Sequence, residues 1–273
     1  LGSTGSVGRS SLDLIRSTKK FELFAITANK NIDLLQEQCE EFNPHTAVIA
    51  DENLADTCYK LLRESDCDTE LKVGRVALEE VAGDPRADVV IAAIVGSAGL
   101  NSTMTAAETG KKILLANKEA LVMSGELFMK TALHSGSMII PIDSEHSGIF
   151  QCLSHTPSGL DVAQLEYIEK LVLTASGGPF LNLSSSELKN VTPEMACAHP
   201  TWNMGKKISV DSASMMNKGL ELIEAHHLFG LDATRIDAIV HPQSIVHAFV
   251  HFLDGSVLSQ LANPDMKIPI AYG

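Results

Sequence analysis

Between residues 21 and 142 the sequence alternates short, wholly apolar runs with longer amphipathic ones, and that alternation is the strongest constraint on its fold. "FELFAITA" (21–28), "TAVIA" (46–50), "ADVVIAAIVG" (87–96), "KKILLAN" (111–117) and "SMIIPI" (137–142) read as strands. Residues 9–18, 31–42, 52–64, 100–109 and 119–134 read as helices between them. A strand apolar on both faces must be covered on both faces, and strands alternating with helices are joined by crossovers. The pattern therefore predicts an α/β fold with a Rossmann-like, doubly wound parallel sheet.

After about residue 150 the texture changes. Residues 167–176 read as a strand, and 184–198 as a polar-capped helix with Pro193 inside or just before it. Residues 217–230 read as a helix closed by Gly230, and 236–262 as a hairpin turning at Asp254-Gly255. The 273 residues leave room for two domains. The expected division is 1–142, the doubly wound part, and 143–273, an α+β part.

A net charge of −13 argues against a nucleic-acid groove or an anionic membrane as partner, though not against a small anion in a local pocket. Cys39, Cys58, Cys67, Cys152 and Cys197 are odd in number and widely spaced, which fits reduced thiols rather than a disulfide or zinc framework. No apolar run reaches the length of a membrane span. The sequence opens on Leu1 with no signal peptide, and it is expected to be part of a longer chain.

"GSTGSVG" places Gly2, Gly5 and Gly8 at a GxxGxxG spacing ahead of a helix. Bare backbone at a helix N-terminus suits a pyrophosphate, and Thr4 and Ser6 add hydroxyl donors. An NAD site wants an acid at the end of the next strand. This chain has Asn29, Lys30 and Asn31 there, a cation among amides that suits a 2′-phosphate and so NADP. Asp33, slightly later, is expected to cap a helix. The bland alternative is a glycine turn and an exposed lysine that bind nothing.

"MIIPIDSEHSGIF" (138–150) ends an apolar run with Asp143 and Glu145 flanking Ser144. In an extended chain, residues two apart share a face, so the two carboxylates are expected to converge at the ligand edge of the sheet. Such a pair calls for a proton or a hard cation, Mg²⁺ or Mn²⁺. The alternative is a solvated acidic loop. "VDSASMMNKGLELIEAHH" offers Asp211, Glu221 or Glu224 as a third acid, and Ser212, Asn217 and Lys218 as a phosphate seat. Asn117, Lys118 and Glu119 follow a buried strand, and Ser176 precedes two glycines. "AHPTWNMG" brings His199, Trp202, Met204 and Gly205 into one irregular segment, which reads as a lid or, for Trp202, a core anchor. The other nine histidines carry no signal; His226 and His227 lack a partner at metal-ligand spacing.

"GSTGSVG", "LLANKEALV", "PIDSEHSGIFQCL", "TASGGPF", "HPTWNMGKKISVDSASMMNKGLELIEA" and "HPQSIVHAFV" together, in this order, resemble the 1-deoxy-D-xylulose 5-phosphate reductoisomerase family. The resemblance implies an NADPH-dependent, divalent-metal enzyme of non-mevalonate isoprenoid synthesis. It would rearrange and reduce deoxyxylulose phosphate to 2-C-methyl-D-erythritol 4-phosphate. Residues 1–142 would then bind NADPH, and 143–273 would be the catalytic domain holding metal and substrate. By motif, Thr4, Gly5, Ser6, Val7, Asn29, Lys30, Asn31, Asn117, Glu119 and Gly205 would meet NADPH. Asp143, Glu145 and Glu221 would hold Mg²⁺ or Mn²⁺. Lys118, Ser144, Glu145, Ser176, His199, Ser212, Asn217, Lys218 and Glu221 would meet the substrate, with Lys118, Asp143, Glu145, His199 and Glu221 catalytic.

The resemblance further implies a homodimer, through the strands around 238–261, in a bacterial cytoplasm or a plastid stroma. It also implies a strand ahead of Gly2 and a helical domain beyond Gly273, neither of them in this sequence. Two rival readings are a phosphosugar isomerase or aldolase with no redox step, and a nucleotide sensor without turnover.

Overall fold

The computed structural model describes residues 1–65, 67–156, 159–202 and 205–273. The chain divides into two compact units. One is Leu1–Met123 with Leu127–Ile140, and the other is Ser124–Glu126 with Pro141–Gly273.

The first unit runs α1 (Ser6–Thr18), β1 (Ala25–Ala28), α2 (Ile32–Phe42), β2 (Thr46–Ile49), α3 (Ala55–Glu64), β3 (Glu70–Val73), α4 (Arg75–Gly83), β4 (Val89–Ala92), α5 (Leu100–Glu108), β5 (Lys112–Leu115), α6 (Lys118–Ser135) and β6 (Met138–Pro141). β1-β2-β3 and β4-β5-β6 form two triples; β1, β2 and β3 pair in parallel, as do β4 and β5. Residues 1–3 lie between the triples. The Leu1 amino group donates to Ile91 O at 2.8 Å and Ala93 N to Leu1 O at 3.2 Å, while Ser3 N donates to Thr27 O at 2.9 Å.

Alternation along β2 explains the double covering. Ala47 and Ile49 pack with Leu35, Cys39, Cys58 and Leu62 of α2 and α3, whereas Val48 packs with Ala77, Leu78 and Val81 of α4. The parallel α/β architecture expected from the sequence is present. Its details differ in three places. β3 and α4 were not anticipated, because charged residues dilute "ELKV" and "RVALEEVAG". The run 87–96 yields only Val89–Ala92, since the chain leaves the sheet and coils into a tight turn at Gly96–Gly99. The strand expected over 21–28 is limited to its last four residues.

The second unit runs α7 (Ser144–Cys152), a two-rung ribbon of β7 (His155–Thr156) and β8 (Gly159–Leu160), β9 (Ile168–Ala175), α8 (Pro193–Cys197), α9 (Lys206–Ala213), α10 (Met216–Phe229), β10 (Ile236–Val240), β11 (Val246–Phe252), β12 (Val257–Leu261) and α11 (Lys267–Tyr272). Its mixed sheet has the order β10-β9-β11-β12. Ile149 and Leu153 of α7 and Ala225 and Phe229 of α10 pack on Leu171, Leu173, Ala248 and Val250 of the sheet.

The expected hairpin over 236–262 is a hairpin only in its second part. β11 and β12 pair antiparallel, but β10 is a separate strand parallel to β9. The expected helix over 184–198 is one tight turn (Glu187–Asn190) followed by α8. α8 begins at Pro193 because Thr192 caps it and Pro needs no donor at the first helical position.

Candidate active site

In the first unit Asn29–Asn31 follow β1 and Asn117–Glu119 follow β5, while Thr4–Val7 lie at the start of α1. Gly5 is the extended cap of α1 and has no side-chain capping bond. Arg9 N–H is the first in the helix to reach an intrahelical acceptor, Gly5 O at 2.9 Å, so the N–H groups ahead of it are those an anion would use. A Cβ on Gly8 would fall 2.4 Å from Gly2 O and 2.5 Å from the Ser3 Cα, so only glycine lets the helix close on its own turn. Thr4, Gly5, Ser6 and Val7 therefore sit at the N-terminal opening of α1, where the sequence expects a cradle.

Asn29, Lys30 and Asn31 are exposed. Lys30 Nζ lies 3.6 Å from Asp51 Oδ2, and Asp51 is itself held by hydrogen bonds from Asn53, which lower its pKa. The cap of α2 is Asn31, whose Oδ1 accepts from Leu34 N at 3.2 Å; Asp33 is in the first turn and is not the cap. Asn117 caps α6, accepting from Ala120 N at 3.3 Å and donating to Gly96 O at 3.2 Å. Lys118 is buried behind it and Glu119 is half-buried.

In the second unit Asp143 and Glu145 do converge, but not as neighbours on a strand. The strand ends at Pro141; Asp143 is the extended cap of α7 and Glu145 is in that helix's first turn. A helix N-terminus favours negative charge, which is why two acids are tolerated there. One carboxylate oxygen from each of Asp143, Glu145 and Glu221 lies within 4.8 Å of the others. Asp211 is elsewhere, paired with Lys207 one helical turn away at 2.7 Å.

Charge balance within this cluster comes from Lys218. Its Nζ is 2.7 Å from Glu145 Oε1 and also bonds Glu221 Oε2. Asn217 Nδ2 donates to Glu221 Oε1 at 2.5 Å, and Ser144 Oγ to Glu145 Oε2 at 2.6 Å. Burial pushes the Glu145 carboxyl up, but the Lys218 ammonium outweighs it and holds the group below the usual range. Burial likewise opposes the charge on Lys218, and Glu145 and Glu221 reverse that effect. Three close carboxylates are the oxygen donor set of a hard divalent ion, so Asp143, Glu145 and Glu221 fit Mg²⁺ or Mn²⁺.

The expected phosphate seat is only partly assembled. Lys218 and Asn217 face the acids. Ser176 Oγ bonds His199 Nε2 at 2.9 Å. His199 Nδ1 accepts from Thr201 N at 3.2 Å and Trp202 N at 2.9 Å, so the ring's proton is on Nε2 and points at Ser176. Burial lowers the His199 pKa and favours that neutral form. Gly178 brings this turn against Ser212, whose carbonyl oxygen would lie 2.5 Å from an added Cβ. Met215, between α9 and α10, adopts φ 62°, a left-handed conformation that is strained for a side chain of its size. Gly205 caps α9. Trp202 is half-buried, 6.2 Å from the His247 ring, and lines a small cavity with Ser144, Ser147 and Gln260. Met204 lies outside the described residues.

Sequence reasoning missed one residue here, His146, and offered Glu224 only as an alternative to Glu221 as the third acid. His146 is fully buried; its Nε2 is 2.9 Å from Glu221 O, and its Nδ1 lies 3.2 Å from Glu224 Oε2 and 3.5 Å from Asp143 Oδ2. Burial alone would favour a neutral ring, but the Glu224 carboxylate, followed by Asp143, raises its pKa to about 9. The available signal was spacing. His146 is three residues from Asp143 and Glu224 three from Glu221, one helix face in each case.

A doubly wound parallel sheet with a glycine turn, and a separate unit carrying three clustered carboxylates, two of them paired with a lysine, are the features of a dinucleotide-dependent α/β enzyme assisted by a divalent metal. The model of the 1-deoxy-D-xylulose 5-phosphate reductoisomerase family matches residues 1–125, and that of the same enzyme's C-terminal domain matches residues 139–229. This chain belongs to that family.

The chain is 52% identical over 273 residues to the 1-deoxy-D-xylulose 5-phosphate reductoisomerase of Paraburkholderia phytofirmans, covering 100% of this chain and 67% of the relative. It is 53% identical over 274 residues to that of Dechloromonas aromatica, covering 100% and 68%. Among solved structures, DOX-P reductoisomerase in complex with NADPH, fosmidomycin and magnesium superposes with a TM-score of 0.95 at 47% identity, covering 99% of this chain and 67% of the other. The Zymomonas mobilis enzyme in complex with NADPH superposes with a TM-score of 0.87 at 44% identity, covering 99% and 68%. Among the described residues no helix is long and apolar enough to cross a membrane.

Proposed function

We propose that this chain performs the NADPH-dependent rearrangement and reduction of 1-deoxy-D-xylulose 5-phosphate to 2-C-methyl-D-erythritol 4-phosphate, with residues 1–142 taking the cofactor and 143–273 the metal and substrate. The observation that carries it is the clustering of Asp143, Glu145 and Glu221, with Lys218 on the last two, in a chain whose first unit opens with a glycine turn at a helix N-terminus.

NADPH, when bound, supplies the hydride, and Mg²⁺ or Mn²⁺ supplies Lewis acidity at the substrate oxygens. The α1 N-terminus at Thr4–Val7 binds the pyrophosphate, and Lys30 with Asn29 and Asn31 binds the 2′-phosphate end. Asn117 and Glu119 line the cofactor, and Gly205 touches it from the lid. Asp143, Glu145 and Glu221 hold the metal. Lys218, Ser176, Ser212 and Asn217 would grip the substrate phosphate. Ser144 and His199 orient the substrate, and His199 aims Ser176 through its Nε2–H. Lys118 offsets developing negative charge or hands over a proton. The segment around Trp202 excludes water. The protein acts as a homodimer, joined through the strands around 238–261, in the bacterial cytoplasm.

The test is loss of NADPH absorbance on adding deoxyxylulose phosphate, with and without Mg²⁺ or Mn²⁺. Oxidation requiring both sugar phosphate and metal is expected. A folded protein that binds NADPH and oxidises none of it would favour a nucleotide sensor. Metal-dependent conversion of the sugar without NADPH loss would favour an isomerase or aldolase.

A further inference from the structure

His146 and Glu224 are both fully buried at 0 % exposure, directly beneath the carboxylate cluster. A buried carboxylate and imidazole are costly to keep unless they serve each other or a site. Their geometry links two different acids of the cluster. Through Nε2 the His146 ring is tied to the backbone oxygen of Glu221, and through Nδ1 it faces both Glu224 and Asp143. Asp143 makes no capping hydrogen bond to α7.

We propose that Glu224, acting through His146, is a positioning residue that fixes Asp143 and α10 for cation binding. This rests on the reading of Asp143, Glu145 and Glu221 as the metal ligands. The ring spans from α7 to α10. Glu224 Oε2 and Asp143 Oδ2 lie 3.2 Å and 3.5 Å from its Nδ1, ion-pair contacts rather than hydrogen bonds, while its Nε2 is hydrogen-bonded to the turn of α10 that carries Glu221. A carboxylate that orients an imidazole, which then orients a ligand, is the usual outer layer of a metal site, and losing such a partner weakens metal binding roughly 10- to 100-fold. Asp143, His146 and Glu224 could alternatively hold a second ion of their own, because their ligand atoms also lie within 4.8 Å of one another. The Nε2 bond to Glu221 O ties the ring to the first site, and the number of Mn²⁺ ions bound per chain separates the two arrangements.

The experiment is Mn²⁺ titration of the intact protein, followed by electron paramagnetic resonance, beside NADPH affinity and thermal unfolding. Wild type is expected to bind one Mn²⁺ per chain. Glu224→Gln and His146→Gln should each weaken Mn²⁺ roughly 10- to 100-fold, and the double variant no more than the worse single one. NADPH affinity should be unchanged. The Mn²⁺ concentration giving half-maximal rate should rise far more than kcat falls, a split that a merely structural defect would not produce. Wild-type Mn²⁺ affinity in Glu224→Gln, strictly additive losses, or two Mn²⁺ per wild-type chain would each overturn the proposal. Should Glu224→Gln not fold, His146→Gln carries the same readouts. Glu221→Gln separates the two levels: if it leaves Mn²⁺ affinity untouched, the ligand assignment itself fails.

Discussion

The nucleotide edge of the first unit and the acid cluster of the second are built from different materials. The first relies on backbone: a helix N-terminus, a glycine turn, and side chains such as Lys30 that stand 72 % exposed. The second relies on buried charge: Lys218 at 6 % side-chain exposure, Glu221 at 1 %, and His146 and Glu224 at zero. A backbone site tolerates changes in surface charge but not an added methyl group. A charge site tolerates small changes of shape but not an uncompensated ion. The difference predicts which substitutions injure which unit.

The largest effect is expected from Lys218→Met. It strands Glu145 and Glu221 together, and breaking a buried ion pair costs about 3–5 kcal/mol. Urea unfolding of the metal-free protein should show the loss, and Mg²⁺ should restore much of it. An unchanged midpoint would mean the acids are already compensated by something else.

Next is a pH effect in the metal-free protein. His146 has a folded pKa near 9, above its unfolded value near 6.5. The stability this contributes is fully present below pH 6.5 and is lost as pH rises through 9. Its size is up to about 3 kcal/mol, readable as a falling melting temperature across that window. Glu224→Gln should flatten the slope.

In the first unit, Gly8→Ala should cost about 1–3 kcal/mol through overpacking against the Gly2–Ser3 backbone, and weaken NADPH. A calorimetric scan would place the loss in that unit; Mn²⁺ affinity should not move. The smallest effect belongs to Lys30→Ala. An exposed charge is worth roughly 1 kcal/mol or less, so NADPH affinity should fall a few-fold, less at high salt. NADH affinity should stay put, and an equal loss for both cofactors would remove the 2′-phosphate role.

The elements that sequence reading located are those that a local pattern decides. β2 is apolar on both faces and is fully buried, and α10 stops where Gly230 takes the left-handed conformation. The glycine turn is likewise a local feature, since the atoms nearest an added Gly8 Cβ belong to Gly2 and Ser3. The misread elements are those a distant partner decides. β10 looks like the first arm of a hairpin until β9 claims it as a parallel neighbour. "DSE" looks extended until α7 begins inside it, held against the sheet by Ile149 and Leu153. His146 and Glu224 are 78 positions apart in the numbering and carry no mutual signal in one sequence.

By itself, then, the sequence determined the α/β architecture of the first unit, the glycine turn and the inventory of acids and cations, because periodicity and glycine spacing act over a few residues. Tertiary structure alone decided which acid faces which cation. It paired Lys218 with Glu145 across 73 residues, sent Asp211 to Lys207, and slid His146 beneath the cluster. The physical reason is that charge compensation in a buried site depends on distance in space, and only the folded chain sets that distance.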